Sequence, residues 1–538
     1  MVTIRGVFGV LLAASLLAAC GGKSTPTATI AASTARGTLV ASPPLRIASL
    51  NAAGFQAQLS ASTSGKQLLQ LTGNPNCGVD FYYIKFWTVG GANEPTESSG
   101  ALMVPTGGTG CSGPRPIVEY AHGTTTDKAY NIANIADPAN PANSEAGLVA
   151  AMFAAQGYIV VAPNYAGYDI STLGYHPYVN ALQQSDEMMD MLAAARAALP
   201  HTLSSATSDN GKLFLTGYSE GGYVAMATQR AMQAAKQTVT AAAPMSGPYA
   251  LEAFGDALFF GAVDLGSTVF APLVTTSYQH AYGNIYTATT DVYSTTYASG
   301  IDTLLPSTTT IDQIFTNGTL PQTALFNSTT PTVTVPNNPQ LSAILTGALA
   351  VPHDPNNPET PLFDLGFGTP YLVNNSYRVS YALDAAQNPD GAVPTPAAGL
   401  PLAAAPPAQT LRLGFYTNDL RNGKWAPNSP TLMCGGDQDP TVFFPVNTLT
   451  MQAFWAALPP GLITVLDVNA TPVANDPFAP IQAGFQASQA ATLQYLEAPI
   501  PTGLGLSPAA AQQQLVRGYH RSVSPFCTLA ARSFFGKF

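Results

Sequence analysis

Residues 212–235, KLFLTGYSEGGYVAMATQRAMQAA, decide the fold of this chain. An apolar run typical of a buried strand ends at a turn, and a pattern typical of an α-helix follows the turn. The turn carries Gly217, Ser219 and Gly221 in the spacing G-x-S-x-G, which between a strand and a helix indicates a nucleophile elbow. Such an elbow is strained and lifts the serine hydroxyl above the sheet. The simpler alternative is that Ser219 only caps the helix.

The same alternation of apolar runs and helical patterns extends to both sides of this stretch. Apolar runs that predict strands lie at residues 116–123, 158–165, 238–247, 430–436 and 462–468. Patterns that predict helices lie at residues 145–156 and 185–199. Two segments rich in β-branched and aromatic residues, 79–89 and 99–105, predict an antiparallel hairpin that opens the sheet. The alternation predicts an α/β fold with a mostly parallel central sheet flanked by helices.

One long segment lacks this rhythm. Residues 248–408 are rich in Thr, Ser, Asn and Pro, with scattered helical patterns. So long a stretch is typical of an inserted domain and not of a loop. We therefore expect a catalytic domain at 51–247 and 409–538, with a cap or lid insertion at 248–408.

The composition excludes several classes of function. Only 9% of the residues are charged, the net charge is -10, and no run of Lys or Arg exists, so a nucleic-acid partner is not expected. No H-E-x-x-H or paired C-x-x-C motif indicates a metal site, and the glycine-rich stretches lack the lysine of a phosphate loop. We expect neither a metal nor a cofactor.

A serine nucleophile needs a general base, and in a fold of this kind the order along the chain is Ser, then an acid, then His. The chain has six histidines, which are His122, His176, His201, His280, His353 and His520. Three of them follow Ser219, and of these only His520 also follows the later strands. His520 is therefore the predicted base; the alternative is a histidine in a surface loop.

The orienting acid should follow the strand after the insertion. The segment CGGDQDPTV, residues 434–442, offers Asp437 and Asp439. The loop pattern G-x-x-D-x-x-V favours Asp439, and Asp437 is kept in reserve. The aspartate that is not used would form a turn.

A tetrahedral intermediate also needs two backbone amide donors. The elbow supplies the amide of Glu220, and the loop YAHGTTT, residues 120–126, would supply the amide of Thr124 because Gly123 lets that loop come close to Ser219. His122 could act in catalysis, but a structural role in this motif is favoured.

The first residues predict the compartment. Arg5, a short apolar stretch and Leu17-Ala18-Ala19-Cys20 form a signal peptide over residues 1–20 that resembles the lipobox of bacterial lipoproteins. The resemblance implies lipidation of Cys20; ordinary cleavage near Ala19 is the alternative. Gly21 is compatible with outer-membrane sorting under the usual rule for such proteins. Residues 21–50 predict a flexible tether.

The other four cysteines fit an oxidising compartment, so we expect an exported protein, membrane-anchored or secreted. Four cysteines can pair in three ways. Proximity in the sequence favours Cys77 with Cys111 and Cys434 with Cys527. The second pair would hold the acid loop against the histidine loop; a purely stabilising crosslink is the alternative.

These motifs resemble bacterial α/β-hydrolases of the secretory lipase kind. The resemblance rests on YAHGTTT, VVAPNYAGYD, TGYSEGGYVAMA, TND, CGGDQDPTV and YHRSVSPFC. It implies hydrolysis of a small-molecule or lipid ester through an acyl-enzyme, with Ser219, Asp439 and His520 as the triad. Asn164 departs from the family, which often has Asp there. A prolyl-type peptidase, an aryl or polyester hydrolase, and a binding lipoprotein without activity remain alternatives.

Overall fold

The central sheet follows the alternation of apolar runs along the chain. A computed structural model describes residues 35–352, 360–390 and 406–538. The expected signal peptide, the lipidation site at Cys20, residues 21–34 of the expected tether and His353 lie outside these ranges.

Strands and helices are numbered in chain order over the described residues. The strands are β1 (Leu45–Leu50), β2 (Gly78–Val89), β3 (Pro95–Thr106), β4 (Gly113–Ala121), β5 (Ile159–Pro163), β6 (Thr207–Tyr218), β7 (Ala241–Met245), β8 (Phe326–Asn327), β9 (Phe367–Gly368), β10 (Thr431–Gly435) and β11 (Ile463–Asp467). The α-helices are α1 (Ala52–Ser60), α2 (Thr63–Thr72), α3 (Asn143–Met152), α4 (Ala181–Ala198), α5 (Glu220–Ala234), α6 (Leu251–Phe259), α7 (Ser267–Tyr282), α8 (Thr289–Val292), α9 (Ile311–Thr316), α10 (Pro339–Ala348), α11 (Thr360–Phe363), α12 (Asn375–Gln387), α13 (Thr410–Asn418), α14 (Thr450–Phe454), α15 (Ala479–Glu497), α16 (Pro508–Arg517) and α17 (Tyr519–Phe535).

Nine strands form one sheet in the order β1-β2-β3-β5-β4-β6-β7-β10-β11, and β8 pairs with β9. The pairs β1–β2, β2–β3 and β3–β5 are antiparallel. Every pair from β5 across to β11 is parallel. The structure thus confirms the mostly parallel sheet, the hairpin of β2 and β3, and the α/β class.

Strand β4 shows why the inner strands have continuous apolar runs. Val118 and Tyr120 face one hydrophobic cluster, while Ile117 faces a second cluster on the opposite side of the sheet. Helices α4 and α5 contribute Met191 and Met232 to the second cluster. A strand that is covered on both faces needs apolar side chains at successive positions. The two layers of helices therefore follow from the same residues that predict the strands.

The predicted tether, residues 21–50, includes residues that the structure places in a strand. Residues 45–50 form β1, which pairs with β2, so the hairpin does not open the sheet. Upstream of β1, Arg36 forms ion pairs with Asp186 at 2.7 Å and with Asp190 at 3.0 Å. An edge strand such as LRIASL is held largely by backbone hydrogen bonds and is not fully buried at any position. Such a strand has no continuous apolar signal in the sequence.

The cap segment, residues 248–408, lies between β7 and β10 and contains α6 to α12 in its described part, with α13 following it. Arg412 of α13 is fully buried and ties three of these helices together. Its Nε and Nη2 donate to both carboxylate oxygens of Asp256 in α6 at 2.8 Å, and its Nη1 donates to Asp384 in α12 at 3.3 Å. A bidentate pair of this kind is among the strongest side-chain hydrogen bonds.

Two disulfides join the cysteines in the pairs that proximity favours. Cys77 is bonded to Cys111 and Cys434 to Cys527, with Cα–Cα distances of 5.4 and 5.5 Å. The second bridge spans 93 residues, and closing a loop of that size contributes on the order of 4 kcal/mol in the chain-entropy account.

Among the helices within the described ranges, none combines the length and apolar character needed to cross a bilayer.

Candidate active site

Ser219 lies in a strained turn between β6 and α5. Its φ and ψ are 60° and -123°, a backbone conformation that residues other than glycine rarely adopt. The turn is held by a hydrogen bond from the Ser219 amide to the carbonyl of Met245 at 2.9 Å. Strain of this kind persists only where the surrounding structure holds it, and it is typical of functional sites.

Glycines make the turn possible because the backbone of three strands meets there. A Cβ on Gly221 would lie 2.0 Å from the carbonyl oxygen of Ala121, and a Cβ on Gly222 would lie 2.2 Å from that of Met245. Neither distance is compatible with a side chain. The elbow geometry expected from the G-x-S-x-G spacing is present.

Three residues that are distant in sequence meet at this turn. His520 Nε2 lies 2.8 Å from Ser219 Oγ, and His520 Nδ1 lies 2.5 Å from Asp439 Oδ2. The Asp439 side chain is 1% exposed and the His520 side chain 15% exposed, so the histidine retains an open side. A chain of hydrogen bonds from acid to base to hydroxyl is the arrangement that activates a serine.

Asp439 is held from behind by its other carboxylate oxygen. Oδ1 accepts hydrogen bonds from the amides of Thr441 at 2.9 Å and Val442 at 3.1 Å. Asp437 is exposed and binds the side-chain amide of Asn469 at 2.8 Å. The structure therefore brings Asp439, and not Asp437, to His520.

The sequence around His520 had indicated a loop, but the structure places this residue in a helix. It occupies the first turn of helix α17, and the Tyr218 hydroxyl donates a hydrogen bond to its backbone carbonyl. The Cys434–Cys527 disulfide therefore ties strand β10, which precedes the acid, to helix α17. Tyr218 was missed as a positioning residue, although it belongs to the elbow motif itself.

The loop that follows β4 lies against the elbow, as expected for an oxyanion loop. A Cβ on Gly123 would lie 3.3 Å from the carbonyl of Tyr218 and 3.7 Å from Ser219 Cβ. The Thr124 hydroxyl is 3.0 Å from the Tyr178 hydroxyl. The amide of Glu220 begins helix α5, where the helix dipole favours negative charge.

His122 is fully buried in the same loop. Its Nδ1 lies 2.7 Å from the Gly123 carbonyl and its Nε2 lies 3.2 Å from the Asn164 carbonyl, so neither ring nitrogen faces Ser219. Burial lowers the pKa of His122. The Asn164 side chain accepts from the Ile132 amide at 2.8 Å and donates to Ser99 at 2.9 Å. The departure at Asn164 thus affects loop contacts.

A buried polar cluster behind the elbow was not predicted. Glu220 Oε1 lies 2.6 Å from His176 Nε2 and accepts from Gln184 Nε2 at 2.6 Å. Glu220 and His176 are each 1% exposed. Because Glu220 follows Ser219 directly, the cluster holds the start of α5 in place. His176 precedes the elbow by more than forty residues, and no local sequence signal connects the two.

An apolar cavity of about 90 Å³ lies among the cap helices, helix α13 and the segment before α4. Phe254, Leu258, Phe270, Val274 and Phe415 belong to its wall. Tyr178 also lines it, and its hydroxyl contacts Thr124. The cavity therefore begins beside the loop that follows β4. In the described part of the chain, no group of three or more His, Cys, Asp or Glu side chains is placed to hold a metal ion.

Comparisons with known proteins agree with this architecture. A family model described as the prolyl oligopeptidase family matches residues 145–261, a stretch that includes Ser219 but covers less than half of the chain. A search of curated proteins found no match. Among solved structures, the ligand-bound rice cell wall degrading esterase LipA from Xanthomonas oryzae is similar at 24% identity and a TM-score of 0.59, covering 86% of this chain and 98% of that chain.

A mutant form of the same Xanthomonas oryzae esterase reaches 25% identity with the same TM-score and coverage. A Legionella pneumophila protein proposed to be a hydrolase is 17% identical, with a TM-score of 0.54 over 92% of this chain and 96% of that chain. The chain has the α/β-hydrolase fold, which confirms the predicted fold class. The family match and the esterase similarity together support a hydrolase of this superfamily.

Proposed function

We propose that this chain is a serine hydrolase that cleaves carboxylic esters through an acyl-enzyme. The observation that carries the proposal is the continuous hydrogen-bonded chain of Asp439, His520 and Ser219, at 2.5 and 2.8 Å, built from three separate segments. In the first step Ser219 Oγ attacks the ester carbonyl while His520 Nε2 takes its proton. Asp439 keeps the proton on Nδ1 and stabilises the imidazolium that forms.

The negative charge of the tetrahedral intermediate develops on the former carbonyl oxygen. The backbone amides of Glu220 and Thr124 would donate to this oxygen. His520 then returns the proton to the leaving alcohol, and the acyl group stays on Ser219. A water molecule, deprotonated by His520, releases the acid by the same steps in reverse order.

The wall of the cavity supports an ester with an uncharged acyl group. None of the side chains that line it in the described ranges is a Lys, Arg or His that could pair with an anionic acyl group. A second candidate is a peptidase of the prolyl type, because the prolyl oligopeptidase family model covers the elbow. Amide hydrolysis would use the same triad, so only the substrate distinguishes the two.

A substrate panel tests the proposal. Initial rates on p-nitrophenyl esters of increasing chain length are compared with those on a feruloyl ester and a proline-containing peptide p-nitroanilide. We expect the highest kcat/KM on a short aliphatic ester and covalent labelling of Ser219 by a fluorophosphonate probe. A preference for the anilide would favour the peptidase, and failure of the probe to label Ser219 would contradict both.

We also propose that the protein is exported and held at a membrane by a lipid on Cys20. Two disulfides support an oxidising compartment. Metabolic labelling with palmitate should mark the full chain and not the Cys20→Ala variant. Labelling of both, or of neither, would contradict the anchor.

A further inference from the structure

One charged side chain lies in the wall of the apolar cavity. Asp264 follows helix α6 and is 5% exposed. Its Oδ1 accepts a hydrogen bond from the Ser267 hydroxyl, at the start of helix α7. Its Oδ2 is buried and has no hydrogen-bond partner among the described residues. A buried carboxyl oxygen without a partner is costly, which makes this atom an exception in an otherwise apolar wall.

Asp264 is also next to the catalytic acid. The amide of Leu265 donates to the carbonyl of Pro440 at 3.0 Å, and Pro440 follows Asp439 directly. A second contact joins the cavity to the same loop, since the rings of Phe254 and Phe443 meet edge to face at 5.3 Å. The cavity therefore adjoins the acid loop on this side and the oxyanion loop at Tyr178 on the other. An acyl group attached to Ser219 could extend into it.

The ionisation of Asp264 suits hydrogen bonding to a neutral group. Burial raises the pKa of Asp264 to about 7, and the neighbouring Asp439 carboxylate acts in the same direction. Near neutral pH both forms of the carboxyl are present. The ionised form accepts a hydrogen bond and the protonated form can also donate one, so a hydroxyl group is a suitable partner for either.

We propose that the cavity binds the acyl group of the ester and that Asp264 Oδ2 forms a hydrogen bond with a hydroxyl carried on that acyl chain. The inference rests on the proposed function, because it assigns the acyl side of the same ester. A cavity of about 90 Å³ is smaller than the ~150 Å³ apolar cavity that holds benzene. The preferred substrates are therefore esters of short hydroxylated acids.

Matched pairs of methyl esters test this on the full chain. Hydrolysis rates are measured by pH-stat titration. Methyl butanoate is compared with methyl 3-hydroxybutanoate, and methyl hexanoate with methyl 6-hydroxyhexanoate. We expect kcat/KM to favour at least one hydroxylated ester by about 10- to 100-fold, the range of a hydrogen bond to a charged group. In Asp264→Leu that ratio should fall to about 1. The ratio is compared within one variant, so it does not depend on the folded fraction.

Two further variants complete the test. Thr228→Val removes a buried hydroxyl of helix α5 that lies outside the cavity wall and donates to the Val224 carbonyl at 2.8 Å, so the ratio should stay at the wild-type value. If Asp264→Leu does not fold, Asp264→Asn should lower the ratio several-fold because a neutral amide makes a weaker hydrogen bond than a carboxylate.

The outcomes separate the two proposals. Hydrolysis of all four esters with ratios near 1 in the wild type, or a ratio that Asp264→Leu leaves unchanged, would overturn the role of Asp264 only. Absence of hydrolysis of all four esters, together with failure of the fluorophosphonate probe to label Ser219, would overturn the proposed function itself.

Discussion

Replacing Ser219 with alanine is expected to lower kcat/KM on a short p-nitrophenyl ester by about 10⁴- to 10⁶-fold. The hydroxyl is the only group of the triad that forms a bond with the acyl carbon in the proposed mechanism. His520 and Asp439 have no nucleophile to activate without it, so the effects of removing the three side chains should not add. The remaining rate would come from substrate binding and the oxyanion amides. Steady-state kinetics on the purified variant measure the loss.

Ser185→Ala is a matched control for this variant. Ser185 is a buried serine on α4 whose hydroxyl donates to the Ala181 carbonyl within its own helix. Its removal should leave kcat/KM within about twofold of the wild type, because this hydroxyl is bonded within α4 and contacts none of Ser219, His520 and Asp439. A folded Ser219→Ala protein that keeps a tenth of the wild-type activity would disprove the assignment of the nucleophile.

Replacing Asp439 with asparagine is expected to lower kcat by about 10³- to 10⁴-fold, as the corresponding change does in a serine protease triad. The reason lies in how Asp439 is held. Its Oδ1 accepts from the amides of Thr441 and Val442, so the carbonyl oxygen of the new amide would stay there. The NH₂ group would then face His520 Nδ1, force the proton onto Nε2, and leave no base for the serine.

Asp437→Asn is the internal control, because it makes the same chemical change two residues away. Asp437 is exposed and contacts Asn469, so this variant should keep more than half of the wild-type kcat. The kcat and KM of the two variants show which aspartate is the acid of the triad. Circular dichroism verifies that both variants are folded. If Asp437→Asn were the more damaging change, the assignment of Asp439 would have to be reversed.

Local patterns in the sequence were sufficient for the elbow and for most of the sheet. The positions of Gly217, Ser219 and Gly221 in the turn have backbone requirements that few residue types meet. Their spacing between a strand and a helix therefore predicts the turn. Both disulfides match the pairs that proximity in the sequence favours, although the Cys434–Cys527 bridge joins segments 93 residues apart. The edge strand β1 did not follow from local patterns, because its pairing depends on backbone groups and its six residues are only partly buried.

Contacts between segments that are distant in the sequence could be identified only from the tertiary structure. The spacing of Asp437 and Asp439 favoured one of them, but only the direction of each carboxylate decided which one meets His520. The pairing of His176 with Glu220 and the position of Asp264 in an apolar wall have no sequence signal. The elbow and most of the strand segments are encoded in short stretches whose backbone conformation depends on neighbouring residues. Side-chain direction and cavity shape depend on packing between segments that are far apart in the chain, and only the folded molecule determines them.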